Sequence, residues 1–190
     1  MLIIATIVPH NYFMPMETVR SFLNLPSGYD FHIQEGPSLP DNRNRVIDYA
    51  KLTGNDLLFI DADIVFTPED VAKIEEHLKT KDVVTGIYLI GRGLYSPCLF
   101  SQSEGGTYEK MPIPATLSQI GACGGGFLGI SAKAMETLGD DPFSNIWNEN
   151  IQDGEDISFC KRVYDKGLAV WCDPTILLGH VRNRTIYPND

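Results

Sequence analysis

Two aspartates separated by one residue, Asp61 and Asp63, follow an uninterrupted apolar run, Leu57-Leu58-Phe59-Ile60. Such a run reads as a buried strand that delivers polar side chains to the edge of a sheet, which is where ligands bind in open α/β folds. While strand geometry continues, side chains two apart leave the same face, and two hard oxygen donors on one face suit a divalent cation. The plainer alternative is a strand-end turn followed by a helix cap, and an Asp-x-Asp pair taken alone favours it. Farther along stand a second acid pair, Glu155-Asp156, preceded by Gly154, and His180 between Gly179 and Val181. Three consecutive glycines, Gly124 to Gly126, mark a sharp bend or a close approach, because they carry a cost in backbone entropy.

The surrounding chain has to position these groups. Its 190 residues are expected to form one domain, spanning 1–190, with a core of two or three layers. The 43% hydrophobic and 21% charged content is that of an ordinary globular chain, and the net charge of -10 disfavours a duplex nucleic acid or an anionic membrane as partner. The apolar start, Leu2 to Val8, has no basic leader and is too short to span a bilayer, so it reads as a first strand without a signal peptide. Cys98, Cys123, Cys160 and Cys172 contain no Cys-x-x-Cys pair, which points to buried thiols in a reducing, cytoplasmic setting.

A helix is expected from about residue 15 to 25, with Val19, Phe22 and Leu23 on its apolar side, then a strand from Tyr29 to Gln34. Asp41 can cap a second helix that carries Val46, Ile47, Ala50 and Leu52 inward and stops at Gly54. Arg43 and Arg45 fall in its first two turns. Thr67-Pro68 opens a third helix through Val71, Ile74 and Leu78, and Asp82 to Leu89 is a further strand. This βαβαβαβ alternation predicts an α/β fold with a mostly parallel central sheet and helices on both faces. Beyond Gly91 the pattern is irregular, with short strands expected at 98–101 and 107–111 and a strand from Phe127 to Ile130. Ser131 can cap a short helix, and the polar loop 139–153 carries Phe143, Ile146 and Trp147 as a lid or docking surface. A last helix starts at Asp153 to Asp156 and ends at Gly167, before a short strand, Leu168 to Cys172, and the segment that holds His180, Arg182 and Arg184.

In this order, Phe59-Ile60-Asp61-Ala62-Asp63, Gly154-Glu155-Asp156 and Gly179-His180-Val181 resemble the Asp-x-Asp motif, the acidic motif and the C-terminal metal-ligand histidine of GT-A fold glycosyltransferases, small viral or bacterial members above all. The resemblance covers nearly the whole chain. It implies a transferase that moves a sugar from a nucleoside-diphosphate sugar, UDP-linked first and GDP-linked second, to a hydroxyl of a carbohydrate or glycoconjugate acceptor. A Mn2+ or Mg2+ ion would be held by Asp63 and His180, with Asp61 on the metal or the ribose. Pro9 and Glu35 would contact base and ribose, Arg43 in Asn42-Arg43-Asn44 the base or diphosphate, and Arg182 or Arg184 the diphosphate. Asp156, beside Glu155, would be the general base, which implies inversion, or would bind acceptor hydroxyls, which leaves a retaining mechanism open; its helix N-terminus is expected to lower its pKa, with Glu155 partly opposing. Gly125 and Gly126 would admit donor or acceptor to the backbone, and Trp147 would stack on a sugar ring.

Two other readings fit parts of the sequence. Phe59 to Val65 also resembles the nucleophile strand of haloacid dehalogenase-like phosphatases, although here two βα units precede it. A non-catalytic carbohydrate- or nucleotide-binding module would keep the fold but would not need the set Asp61, Asp63, Asp156 and His180 intact.

Overall fold

The computed structural model describes residues 1–9, 12–91, 95–103, 107–146, 154–182 and, by backbone alone, 185–186. Trp147, Asp153 and Arg184 lie outside the described residues. The chain opens with β1 (Leu2–Pro9), α1 (Met16–Leu23), β2 (Asp30–Gly36) and α2 (Leu39–Thr53). β3 (Asp56–Ile60), β4 (Ile64–Val65), α3 (Pro68–Leu78), β5 (Val83–Ile87) and β6 (Leu89–Ile90) follow. The middle is built of short strands, β7 (Ser96–Pro97), β8 (Leu99–Gln102), β9 (Tyr108–Lys110), β10 (Ser118–Ile120) and β11 (Ala122–Cys123), before β12 (Phe127–Ile130) and α4 (Ala132–Leu138). The last elements are α5 (Glu155–Asp165), β13 (Val170–Leu177), β14 (Gly179–Val181) and β15 (Thr185–Ile186).

Seven strands form the central sheet in the order β10-β13-β5-β12-β3-β1-β2. β1, β2, β3, β5 and β13 run in one direction, as the alternation predicts. β3 and β5 do not pair with each other, because β12 is inserted between them and pairs antiparallel with both. β12 is only Phe-Leu-Gly-Ile, buried throughout, and a short apolar run gives no sign of its direction or its place in the order. The outer strand β10 is also antiparallel to its neighbour, so the sheet is mixed.

Alternation along β1 divides the core. Ile3, Ala5 and Ile7 pack with Val46, Ile47 and Ala50 of α2, Met135 of α4 and Phe159 of α5, whereas Leu2 and Ile4 face Phe22 of α1 and Val71 and Ile74 of α3. Helices therefore cover both faces. Local signals hold well where chemistry is local. Thr67 and Asp70 form a capping box with Pro68 in the first turn, Ser131 caps α4, and Gly54 ends α2 in the left-handed region at φ 65.

Four expectations are corrected. Ser38, not Asp41, is the N-cap of α2. Leu23 and Leu52 are exposed although their spacing placed them on apolar faces, and α1 buries Thr18 and Ser21. The loop after α4 does not offer Phe143 to a partner: its ring stacks on Phe159 at 4.4 Å and 8° and meets Phe59 edge-on. Arg162 donates to the carbonyls of Pro142 and Ser144 and holds the loop against α5. Lastly, the strand after α5 begins at Val170 and runs to Leu177 rather than spanning Leu168 to Cys172.

Candidate active site

β1 and β3 run parallel and end side by side, so Pro9 and Asp61 meet at the carboxyl edge of the sheet. A cavity of about 160 Å³ opens there, lined by Ile7, Pro9, Tyr12, Leu39, Asp61 and Asp63. The chain does not continue as a strand through the aspartates. The amide of Ile64 donates to the Asp61 carbonyl at 3.1 Å and closes a turn over Asp61 to Ile64. The turn separates the carboxylates that strand geometry would have kept on one face. Asp61 points toward α2 and Asp63 toward β14.

Asp61 Oδ1 accepts a 2.9 Å hydrogen bond from Arg43 Nη2, and Arg43 Nη1 donates to the Gly125 carbonyl at 3.0 Å. Arg43 is 1% exposed, although it stands in the first two turns of a helix with polar neighbours in sequence. Its guanidinium lies 5.1 Å and 5.5 Å from the ring centroids of Phe59 and Phe143, and its Nε is 3.9 Å from Glu155 Oε1. The arginine read from sequence as a contact for the base or diphosphate forms an internal clamp between the aspartate turn, the glycine turn and the start of α5. A Cβ on Gly125 would come within 2.7 Å of this guanidinium. Tyr88 occupies the space beside Gly124 and Gly126, with its hydroxyl accepting from the Gly126 amide at 3.1 Å. The three glycines are needed because Arg43 and Tyr88 approach the backbone. The Gly126 carbonyl in turn accepts from the Asp61 amide at 2.9 Å.

His180 reaches Asp63 through a second, small sheet. β14 pairs antiparallel with β4, His180 opposite Ile64, and the Val181 amide donates to the Asp63 carbonyl. The ring is buried. Its Nδ1 lies 2.7 Å from the Leu89 carbonyl, which can only accept, so Nδ1 carries hydrogen. Nε2 faces Asp63 Oδ2 at 3.3 Å. In the neutral ring that places a lone pair against a carboxylate oxygen, an arrangement that a shared cation would stabilise and that is the usual tautomer of a metal-binding histidine. Among the described residues no group of three or more His, Cys, Asp or Glu side chains is placed to hold an ion. Two adjacent donors, Asp63 and His180, fit an ion whose remaining positions go to water and substrate oxygens, as is common for Mg2+.

No protein-family model and no curated protein matches the chain. Among solved structures, A197 from STIV superposes with a TM-score of 0.70 at 20% identity, covering 100% of this chain and 91% of that one. A protein from Desulfovibrio desulfuricans G20, assigned as a nucleotide-diphospho-sugar transferase, gives 0.51 at 14% identity over 91% of this chain and 79% of its own. CMP:2-keto-3-deoxy-manno-octonic acid synthetase in complex with CTP gives 0.52 at 10% identity over 91% and 89%. The fold is one shared with nucleotide-sugar enzymes.

In this nucleotide-sugar-related fold, burial governs the second acid pair. Glu155 and Asp156 form the first turn of α5, whose N-cap is Gly154 and has no side-chain cap. Asp156 Oδ1 accepts from the Ile157 amide at 2.8 Å. Burial nevertheless raises the Asp156 pKa above the usual aspartate range, against the lowering pull of that amide and of Arg43. The helix N-terminus therefore does not leave Asp156 with the lowered pKa expected from sequence. Glu155 is raised as well, by burial and then by Asp156, with Arg43 opposing. For each acid the folded chain binds its proton more tightly than the unfolded chain. Stability therefore falls as pH rises from the unfolded value, near 3.9 for aspartate, through the raised folded value. In metal-free buffer at pH 7, Asp156→Asn is expected to melt at a higher temperature than the wild type. The difference should vanish below about pH 4, as followed by circular dichroism.

The other sequence candidates are dispersed around this edge. Glu35 is exposed and pairs in register with Val8, one residue before Pro9 meets Gly36, and it is outside the cavity wall. Arg182 is exposed just after β14 and is close enough to Tyr12 to oppose the rise that burial and Asp63 impose on its phenol. Tyr12 itself was missed, although an aromatic residue three positions past a strand end is a legible signal. The four cysteines are free and buried. Burial pushes the Cys98 thiol up to about 11 and Cys172 up to about 12, which removes both as nucleophiles at neutral pH.

Proposed function

We propose that the chain is a metal-dependent GT-A type glycosyltransferase that takes a nucleoside-diphosphate sugar, UDP-linked or GDP-linked, and delivers its sugar to an acceptor hydroxyl. The observation that carries the reading is the convergence of Asp63 Oδ2 and His180 Nε2 at 3.3 Å, with Asp63 on the wall of the cavity that Pro9 and Tyr12 complete. Mn2+ or Mg2+ bound to Asp63 and His180 would act as a Lewis acid for the diphosphate leaving group. Asp61, kept beside a guanidinium by Arg43, is suited to accept hydrogen bonds from the ribose or to meet the ion with its free oxygen. Pro9 and Tyr12 offer flat apolar surface to a base, Glu35 a carboxylate to the ribose from the adjoining strand end, and Arg182 a cation to the diphosphate. Gly125 and Gly126, read from sequence as substrate contacts, make room for Arg43 and Tyr88 beside the aspartate turn. Asp156, with its raised affinity for a proton, is the group that would deprotonate the acceptor hydroxyl, and Glu155 and Arg43 set its surroundings.

Asp63→Ala and His180→Ala should each weaken Mn2+-dependent binding of UDP or GDP roughly tenfold or more, the scale on which metal-site substitutions act. Titration calorimetry with and without Mn2+ measures this. Affinities unchanged in both variants would remove the metal assignment.

A further inference from the structure

We infer that the free edge of the central sheet, together with α1 beside it, is the surface through which two copies of this chain associate. β2 is the last strand in the sheet order, so one of its edges has no strand partner among the described residues. Natural edge strands are usually protected by lysine, proline, a bulge or a covering element. Asp30–Gly36 contains neither lysine nor proline and pairs with β1 in unbroken register.

The side chains on this edge are apolar where a lone chain would be expected to place polar ones. Phe31 is 49% exposed and Ile33 69%, on alternate positions of one face. They border a groove of about 340 Å³ whose walls also include Ile4, Met14, Val19, Phe22 and Leu23, with Thr6 and His32 as its polar residues. Met16, Val19 and Leu23 recur at helical spacing, and Leu23 is 77% and Met16 61% exposed, so the apolar stripe continues along α1. Phe13, just before Met14 of the groove wall, is 91% exposed. At roughly 200 Å² for a large apolar side chain, these five residues leave on the order of 700 Å² in water. That approaches the ~800 Å² that each partner contributes to a standard interface.

A second copy fits this surface in kind as well as in area. Antiparallel pairing of two β2 edges about a two-fold axis at His32 would set Phe31 opposite the partner's Ile33, and Ile33 opposite the partner's Phe31. Aromatic and β-branched side chains make favourable cross-strand pairs. The axis stands perpendicular to the sheet, so both α1 helices fall on one side and the two grooves meet. An anionic bilayer is a poor alternative, because Arg20 is the only Lys or Arg between residues 12 and 36, against Glu17, Asp30 and Glu35. Each copy carries a net charge of -10, so association works against mutual repulsion and should tighten with salt.

Sedimentation velocity of the full chain over a range of concentrations and salt tests this, with Ile33→Lys and, as a control, Leu52→Lys, which alters an exposed leucine on α2 across the sheet. The expected result is a monomer–dimer equilibrium that salt strengthens. Ile33→Lys should raise its dissociation constant roughly 30-fold or more, as for a central anchor, whereas Leu52→Lys leaves it unchanged. Unaltered thermal melts would show that both variants fold. A wild type that sediments as one chain throughout, a dimer indifferent to Ile33→Lys or weakened by salt, or monomers that float with neutral phosphatidylcholine vesicles would overturn the inference.

Discussion

Asp156→Asn is expected to lower sugar transfer by about 10² to 10⁴-fold, the usual contribution of a positioned general base, while nucleoside-diphosphate affinity stays within about twofold. The separation follows from where the two groups lie. The cavity proposed for the nucleotide is walled by Pro9, Tyr12 and the aspartate turn, and Asp156, in the first turn of α5, is not part of its lining. An amide at position 156 keeps an oxygen for the Ile157 amide, so the start of the helix is preserved. Only the ability to take up a proton is lost. Single-turnover transfer, measured beside calorimetric donor binding, distinguishes the cases: full turnover in the variant would reject the base, and loss of donor binding would reassign Asp156 to the nucleotide. Because burial raises this carboxyl, the variant should gain thermal stability as it loses turnover. A residue present only for packing would not couple the two in opposite directions.

Arg43→Met should be the most destabilising single change in the site, costing about 2 to 4 kcal/mol. Breaking a buried pair typically costs ~3–5 kcal/mol, and the figure is reduced here because Asp61 keeps partial access to water. Methionine refills the space between Phe59 and Phe143 but leaves Asp61 and the Gly125 carbonyl without their shared donor and Glu155 without its nearby cation. Urea unfolding gives the value. Adding Asp61→Asn to Arg43→Met should recover about 1 kcal/mol or more, since the remaining carboxylate is the main penalty. A loss below ~1 kcal/mol for Arg43→Met, or no recovery in the double variant, would show that the cation does not hold this edge together. The prediction concerns folding, and it holds whatever reaction the site performs.

What could be read from residue types alone was the material decided by neighbours in sequence. The run Leu57 to Ile60 is a fully buried strand, Thr67-Pro68 begins a helix, and the βα alternation gives five co-directional strands with helices on both faces. Spacing also placed the two acids after β3 and the acid pair at the start of α5. These follow from backbone propensity, capping and burial periodicity, which act over a few residues. The reading failed where two distant segments choose each other. Arg43 was legible only as a cation placed for an anionic ligand; its burial depends on a carbonyl 82 positions away. Gly124 to Gly126 announced a close approach without saying that Arg43 and Tyr88 make it.

The aspartate pair divides along the same line. The sequence by itself determined that Asp61 and Asp63 stand at the carboxyl edge of a buried strand, because an apolar run must end where polar groups can be solvated. Tertiary structure decided what each does there. A turn at Asp61 to Ile64 sends one carboxylate to a buried guanidinium and the other to a histidine 117 residues away. It also decided that β12 enters the sheet between β3 and β5, and that the apolar face of β2 stays open to water. Strand order and side-chain partners depend on which surfaces bury the most apolar area and leave no buried charge unmatched, and that sum is taken over the whole chain.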